Sequence, residues 1–194
     1  MKKTKLKMNL KMKSEYAINA ETIMILPNYN ENGFLHSLIC KKDGFSKADL
    51  SPFDLIDTNL RYRGSSLRGA MEGAQALLMQ GNKNPVILDR EQNIILFPSR
   101  SPFKVDCMWF ALRHVVDTVS IDRHHTQVEL SNGSTITINI SKRTFDLKKN
   151  KAYELLFKMH TRNREFEDQV AEARQPYHLF KGEYGVNFEE GMRE

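Results

Sequence analysis

The sequence has few cysteines, no long apolar run and no excess of glycine or proline. It contains two cysteines, ten glycines and six prolines in 194 residues. Two cysteines outside any Cys-x-x-Cys pair exclude a disulfide framework and indicate reduced thiols, as in a cytoplasm. No apolar run is as long as the roughly 20 residues that a helix needs to cross a bilayer. The lysine-rich start does not lead into an apolar leader segment. We therefore expect a cytoplasmic protein without a membrane segment.

Positive charge is concentrated in two segments of the chain. The formal net charge is +5, and six lysines precede the first acidic residue. Residues 142–164 contain eight basic and two acidic residues, whereas residues 165–194 contain eight acidic and three basic ones. A basic stretch on a nearly neutral body is typical of a protein that meets a polyanion on one face. A solvated helix face, the alternative interpretation, has the same composition.

These shifts of composition predict three segments. Residues 1–14 combine high charge with few apolar groups and are predicted to be a disordered basic arm, which either adds attraction to DNA or only aids solubility. Residues 15–164 are predicted to form the folded domain, whose basic stretch makes it the expected site of contact with a polyanion such as DNA. Residues 165–194 form an acidic C-terminal segment with several aromatics, which suits either recruitment and degradation or an autoinhibitory contact with the basic stretch.

The apolar patterns predict an α+β fold with a mainly antiparallel sheet, short helices and a C-terminal helical region. Short apolar runs predict a hairpin of Thr22–Leu26 with residues 34–42, and further strands at Val86–Leu88 and Ile94–Phe97. Asn132-Gly133 lies between two alternating runs, which is the strongest hairpin signal in the chain.

Helices are predicted from capping residues and spacing. Ser51 before Pro52 predicts one helix start, and a second helix is expected from Ser66 to Met79 with Gly81 as its stop. After Ser141 or Thr144, apolar residues recur every three, four or seven positions up to Pro176, which predicts one or two helices packed on the body. The predicted apolar stripe consists of Phe145, Ala152, Leu156, Met159, Phe166, Val170 and Ala173.

No residue pattern indicates catalysis, so we expect no enzymatic activity, no cofactor and no metal. The adjacent His124 and His125 have no further ligand at a usual spacing. Cys107 and His114 are separated by an apolar stretch, which favours packing over a nucleophile with its base. The RGSSLRG segment lacks the Gly-Lys-Ser/Thr ending of a phosphate loop. Trp109 is assigned to packing because its neighbours are apolar.

Four segments in order carry a resemblance to a known family. They are RYRGSS (61–66), NPVILDREQNIILFPSRS (84–101), CMWFALRHV (107–115) and VELSNGSTITINIS (128–141). Each is short, but their order and spacing resemble the ComK competence transcription factor family of Gram-positive bacteria. The likeness covers about residues 15 to 160.

The resemblance implies a cytoplasmic activator of genes for DNA uptake and recombination. Members of that family bind paired AT-rich promoter boxes as assemblies of dimers, largely through the minor groove of double-stranded DNA, and an adaptor delivers them to a Clp-type protease. The rival hypothesis is a ComK-like paralogue that acts by protein–protein interaction without binding DNA.

Two sets of basic residues are the predicted DNA contacts. The start of the basic helix is expected to contact phosphates through Lys142, Arg143, Lys148, Lys149 and Lys151. Arginines beside the Gly-Ser-Ser turn are candidates for insertion into a groove, namely Arg61, Arg63 and Arg68. The alternative for these arginines is pairing with acidic residues.

Overall fold

The computed structural model describes residues 13–79, 83–172, 177–182 and 185–190. The chain divides into two compact units, Met1–Phe157 and Lys158–Glu194. Two antiparallel sheets and several helices in the first unit confirm the predicted α+β class. The residues of the predicted basic arm before Lys13 lie outside the described residues, and the predicted segment boundaries stay predictions. None of the helices described is long and apolar enough to span a membrane.

The central layer is a six-stranded antiparallel sheet with the order β3-β2-β1-β6-β5-β4. Its strands are β1 (Thr22–Tyr29), β2 (Leu35–Lys41), β3 (Gly44–Ala48), β4 (Val86–Asp89), β5 (Ile94–Pro98) and β6 (Trp109–Ala111). The predicted first hairpin is confirmed by the β1–β2 pairing. Strand β1 continues through Pro27, beyond the predicted end at Leu26. Proline has no backbone N–H, but β6 pairs only with Met24 and Ile25, so Pro27 interrupts no hydrogen bond to β6.

A three-stranded sheet, β7 (Val115–Ser120), β8 (Thr126–Leu130) and β9 (Thr135–Ile138), contains the predicted Asn-Gly hairpin. Val128 pairs with Ile136, and Gly133 takes a φ of 79° in the turn, which confirms the prediction. Val128 and Leu130 are buried while Glu129 between them is exposed. The alternation of apolar and polar residues therefore reports the two faces of the strand correctly.

The two short helices begin where the sequence predicts, the first after its predicted capping residue and the second near Ser66. Helix α1 (Pro52–Tyr62) follows Ser51, whose Oγ accepts a hydrogen bond from the Asp54 N–H at 3.1 Å. Helix α2 (Leu67–Leu78) follows Ser66, whose Oγ accepts from the Gly69 N–H at 3.1 Å. Met79, in a left-handed conformation with a φ of 52°, ends α2 before Gly81, which lies outside the described residues.

The C-terminal helix, α3 (Lys142–Glu172), is continuous, so the single-helix alternative holds. Its predicted apolar stripe is only partly correct: Phe145 and Ala152 are buried, but Phe166 and Val170 are exposed, and Ala173 lies outside the described residues. Residues 162–167 are all exposed, so no face of that stretch is covered. The second unit also contains a hairpin of β10 (Tyr177–Gly182) and β11 (Gly185–Glu190), which was not predicted.

Two apolar cores lie on the two faces of the six-stranded sheet. One core joins its strands to α1 and α2, for example through Trp109, Leu55 and Leu67. The other joins its opposite face to the three-stranded sheet and the start of α3, for example through Phe97 and Phe145. The first unit is therefore layered, with helices on one side of the central sheet and the small sheet with α3 on the other.

His114 connects three segments of the first unit. It lies just before β7 and is 4% exposed. Its Nε2 lies 2.7 Å from the Ala20 carbonyl oxygen, and its Nδ1 lies 2.6 Å from the Ser131 hydroxyl oxygen. Burial lowers the pKa of His114 below its ordinary value. The neutral imidazole is therefore the form that the folded protein prefers.

Replacing His114 with Gln is expected to reduce the loss of stability on acidification. Because the folded-state pKa is lowered, the unfolded chain takes up this proton first, so the stabilising contribution is complete above about pH 6.5 and decreases as the pH falls through the folded-state pKa. Urea unfolding at pH 7.5 and pH 5.5 measures the difference. The exposed His124→Gln variant should retain the wild-type pH dependence, and an identical loss in H114Q would contradict the assignment.

Candidate nucleic-acid interface

An aromatic cluster fixes the start of α3 against the central sheet. The Phe145 ring lies edge-on to Phe97 and Phe110, with centroid distances of 5.4 and 5.1 Å. Ser141 caps the helix, since its Oγ accepts from the Thr144 N–H at 3.4 Å and its carbonyl accepts from the Phe145 N–H at 3.0 Å. The first turns of α3, which carry the predicted phosphate contacts, are thereby held in one place.

Asp146 organises the basic residues on one side of this helix. The Lys142 ammonium donates to Asp146 at 2.5 Å, the Lys149 ammonium lies 4.0 Å away, and the Thr118 hydroxyl on β7 donates at 2.8 Å. Partial burial by itself raises the pKa of Asp146, but the hydrogen bonds from Lys142 and Thr118 and the nearby lysine charges outweigh it and lower the pKa. Lys142 and Lys149 thus share one carboxylate, and part of their charge is already neutralised.

The other predicted contacts on α3 project in different directions. Arg143 is exposed and forms no hydrogen bond or ion pair with any described residue. Lys148 and Lys151 are half-buried, and burial lowers the pKa of both. With 3.6 residues per turn, Lys148 and Lys149 flank the buried Phe145 and Ala152 on opposite sides. The five residues therefore surround the start of α3 and do not form one flat basic face.

All three predicted groove arginines pair with acidic residues. Arg61 pairs with Asp57 at 2.5 Å, Arg68 with Glu72 at 3.4 Å, and Arg63 with Asp89 at 3.5 Å. The Arg68–Glu72 pair is exposed on both sides, with side chains 89% and 69% accessible, whereas in the other helix pair Arg61 is 52% accessible and Asp57 is 20% accessible. An exposed pair of this kind is worth little and leaves the cation available to a phosphate.

Arg63 has a structural role beyond that ion pair. Its guanidinium donates to the Asn59 carbonyl at 3.1 Å and to the Ile18 carbonyl at 2.9 Å, so it closes the C-terminal end of α1 onto the segment before β1. Asn59 supports the same junction, because its side chain accepts from the Ile18 N–H at 2.9 Å. Spacing along the sequence could not distinguish the structural role of Arg63 from the roles of Arg61 and Arg68.

The two predicted sets of basic residues are connected by a residue that sequence reasoning missed. A groove of about 560 Å³ is lined by Arg68 and Lys83, and a neighbouring cleft of about 460 Å³ is lined by Lys83 and Lys148. Lys83 and Ser101 line both. Nothing in the local sequence around Lys83 distinguishes it. We call this line of cations from α2 to α3 the basic track: Arg68, Lys83 and Lys148.

The candidate catalytic groups do not come together as a site. The Cys107 thiol lies 3.6 Å from the Arg100 carbonyl, and burial raises its pKa, whereas His114 contacts Ser131 and Ala20. His125 lies in the β7–β8 turn, 2.8 Å from the Asp122 carboxylate. Trp109 is fully buried in the core under α1 and α2, which confirms its assignment to packing.

Comparison with known proteins identifies a family of related sequences. The family model described as ComK protein matches residues 13–164. A competence transcription factor of Bacillus subtilis (strain 168) is 29% identical over 168 residues, which cover 87% of this chain and 85% of that protein. No solved structure matches the chain significantly.

Truncating Phe145 is expected to release the start of α3. Phe145→Ala should reduce the free energy of unfolding by about 3–5 kcal/mol, because it removes a fully buried ring and leaves a cavity. Leu147→Ala, on the same helix but 62% exposed, should change it by less than about 0.5 kcal/mol. Denaturant unfolding of both variants measures the contrast, and equal costs would disprove the anchoring role.

Arg63 and Arg68 are expected to differ in their effect on stability. Arg63→Ala should cost about 1.5–3 kcal/mol, because it removes charge-assisted hydrogen bonds to two carbonyls, while Arg68→Ala should be nearly neutral. Thermal and urea unfolding of the two variants at the same pH give the comparison. A nearly neutral R63A would mean that the α1 junction does not depend on this guanidinium.

Proposed function

This chain belongs to the ComK family, and from that premise we propose that it is a DNA-binding activator of competence genes, those for DNA uptake and recombination. The observation that carries the proposal is the agreement between the family match and the basic track. The relative in Bacillus subtilis bears the name competence transcription factor. The family is one of transcription factors, so we propose a regulatory and not an enzymatic role.

The proposed DNA target is an AT-rich promoter box. In the minor groove the hydrogen-bond pattern hardly separates A·T from T·A, so readers of AT-rich DNA use arginine and lysine to detect a narrow groove with strong negative potential. Arg61 and Arg68 support this mode, because each is at least half exposed and held only by an ion pair on its own helix. Arg63 is better assigned to positioning the junction that carries them.

Phosphate contacts are proposed from the start of α3. Arg143 is the strongest candidate, since it is exposed and has no competing partner in the described part of the chain. Lys142, Lys148, Lys149 and Lys151 are proposed to contribute as flexible side chains with buried stems. Because these residues surround the helix start, they would contact the backbone on either side of it and orient the protein on the duplex.

Two further partners belong to the proposal. Binding to paired boxes requires self-association, and Phe45 on the edge strand β3 offers a large exposed apolar side chain (66%) for such a contact. Delivery to a Clp-type protease by an adaptor is proposed from the family resemblance alone.

An anisotropy titration tests direct DNA binding. Wild-type protein should prefer a duplex with two AT-rich boxes over a GC-rich duplex, and its affinity should fall steeply with salt. Arg143→Gln should weaken binding and reduce the slope of log affinity against log salt by about 0.9, the share of one phosphate contact. The anisotropy of each labelled duplex is measured at several salt concentrations.

Arg113→Gln is the matched control, because Arg113 is exposed and donates to the Gln92 carbonyl in the β4–β5 turn, at the opposite end of β5 from Lys83 and Ser101. It should bind like the wild type. Failure of folded wild-type protein to bind either duplex at low salt would remove the direct DNA role and favour the paralogue that acts through protein–protein contacts.

A further inference from the structure

Residues 99–106 of the loop between β5 and β6 close a strongly basic cleft against the start of α3. The cleft has a volume of about 460 Å³ and includes the side of Thr144 in the first turn of the helix. Four cationic side chains and one carboxylate line it: Lys83, Arg100, Lys104, Lys148 and Asp106. Three of the cations, Lys83, Arg100 and Lys104, belong to none of the sets predicted from the sequence.

The positive charge of this cleft is only partly neutralised. Arg100 pairs with Asp106, but Lys83, Lys104 and Lys148 form no ion pair within the described part of the chain. The Arg100 Nε is buried and has no hydrogen-bond partner among the described residues. A buried donor without a partner costs free energy. The cleft therefore has both the excess charge and the unsatisfied donor that an anion would complete.

Lys148 shows the same imbalance. Burial lowers its pKa, and repulsion from the Lys83 and Lys151 charges adds to that effect. Like charges are thus held together by the packing of α3 and the loop, against their mutual repulsion. A bound anion would offset this repulsion, and the partial positive charge of the helix start, whose first turn lines the cleft through Thr144, acts in the same direction.

We propose that this cleft binds a phosphate group of the DNA backbone, held by Lys83, Arg100, Lys104 and Lys148. The inference rests on the proposed function and deepens it, since it adds three residues to the interface. A polymer fits better than an isolated anion, because the cleft continues past Lys83 and Ser101 into the groove lined by Arg68. Successive phosphates of one strand could then follow the basic track.

The test removes the two exposed lysines of the cleft that lie outside α3. Lys83→Gln/Lys104→Gln should weaken binding to both AT-rich and GC-rich duplexes by the same factor and reduce the log-log salt slope by about 0.9, because a phosphate contact carries no base information. Lys42→Gln/Arg113→Gln is the matched control, with the same change of charge at two exposed side chains near His114, beyond the opposite end of β6 from the loop. It should keep the wild-type slope.

A second arm separates this inference from the proposed function. Inorganic pyrophosphate is titrated into wild-type and double-variant protein while the amide signals of residues 99–106 are followed by NMR. Saturable shifts in the wild type that the variant loses support the site, and their absence in the wild type overturns it. If K83Q/K104Q binds DNA with the affinity and the salt slope of the wild type, the assignment of the cleft to DNA is overturned while the proposed function stands. Pyrophosphate binding by protein that binds no DNA would assign the cleft to another phosphate compound and reject the proposed function.

Discussion

The edge-on contact of Phe145 with Phe97 and Phe110 is the constraint on which the rest of the interface depends. It joins the first turn of α3 to the central strands β5 and β6, and the same core includes the three-stranded sheet. Aromatic pairs in this geometry add about 0.5–1.5 kcal/mol to the effect of burial. The basic residues near Phe145 are therefore presented by a rigid element, so their positions relative to loop 99–106 and Lys83 are defined by packing.

Electrostatics divides the lysines of α3 into groups with different roles. Asp146 gathers Lys142 and Lys149 and is itself held by Thr118 from β7, so one of the two positive charges on this side of the helix is neutralised. On the other side, Lys148 and Lys83 line one cleft, in which the only carboxylate among the described residues is that of Asp106, which pairs with Arg100. The side of the helix that borders the cleft therefore carries the larger excess of positive charge, whereas Arg143, five positions before Lys148, is exposed on another side of the first turns.

Local signals predicted the elements that are local in origin. The cap at Ser51, the start of a helix near Ser66 and the turn at Asn132-Gly133 each depend on nearby residues, and all three predictions are confirmed. The apolar stretch 107–121 was harder to interpret, because it splits into β6 and β7, which belong to different sheets. The short edge strand β3 (Gly44–Ala48) was missed. Only one of its residues is buried, so its sequence needs few apolar residues and shows little of the pattern that predicts a strand.

The sequence by itself determined the fold class, the family and the basic character of the start of α3, because these follow from periodicity, the order of motifs and the count of charges. Only the tertiary structure decided which cations share a surface. Lys83, Arg100 and Lys148 are far apart in the chain and line one cleft. The Arg63 guanidinium, in contrast, lies at the junction between α1 and the segment before β1 and donates to the Ile18 carbonyl. The physical reason is that charge acts through distances in space, and those distances are set by how the two cores pack on the central sheet.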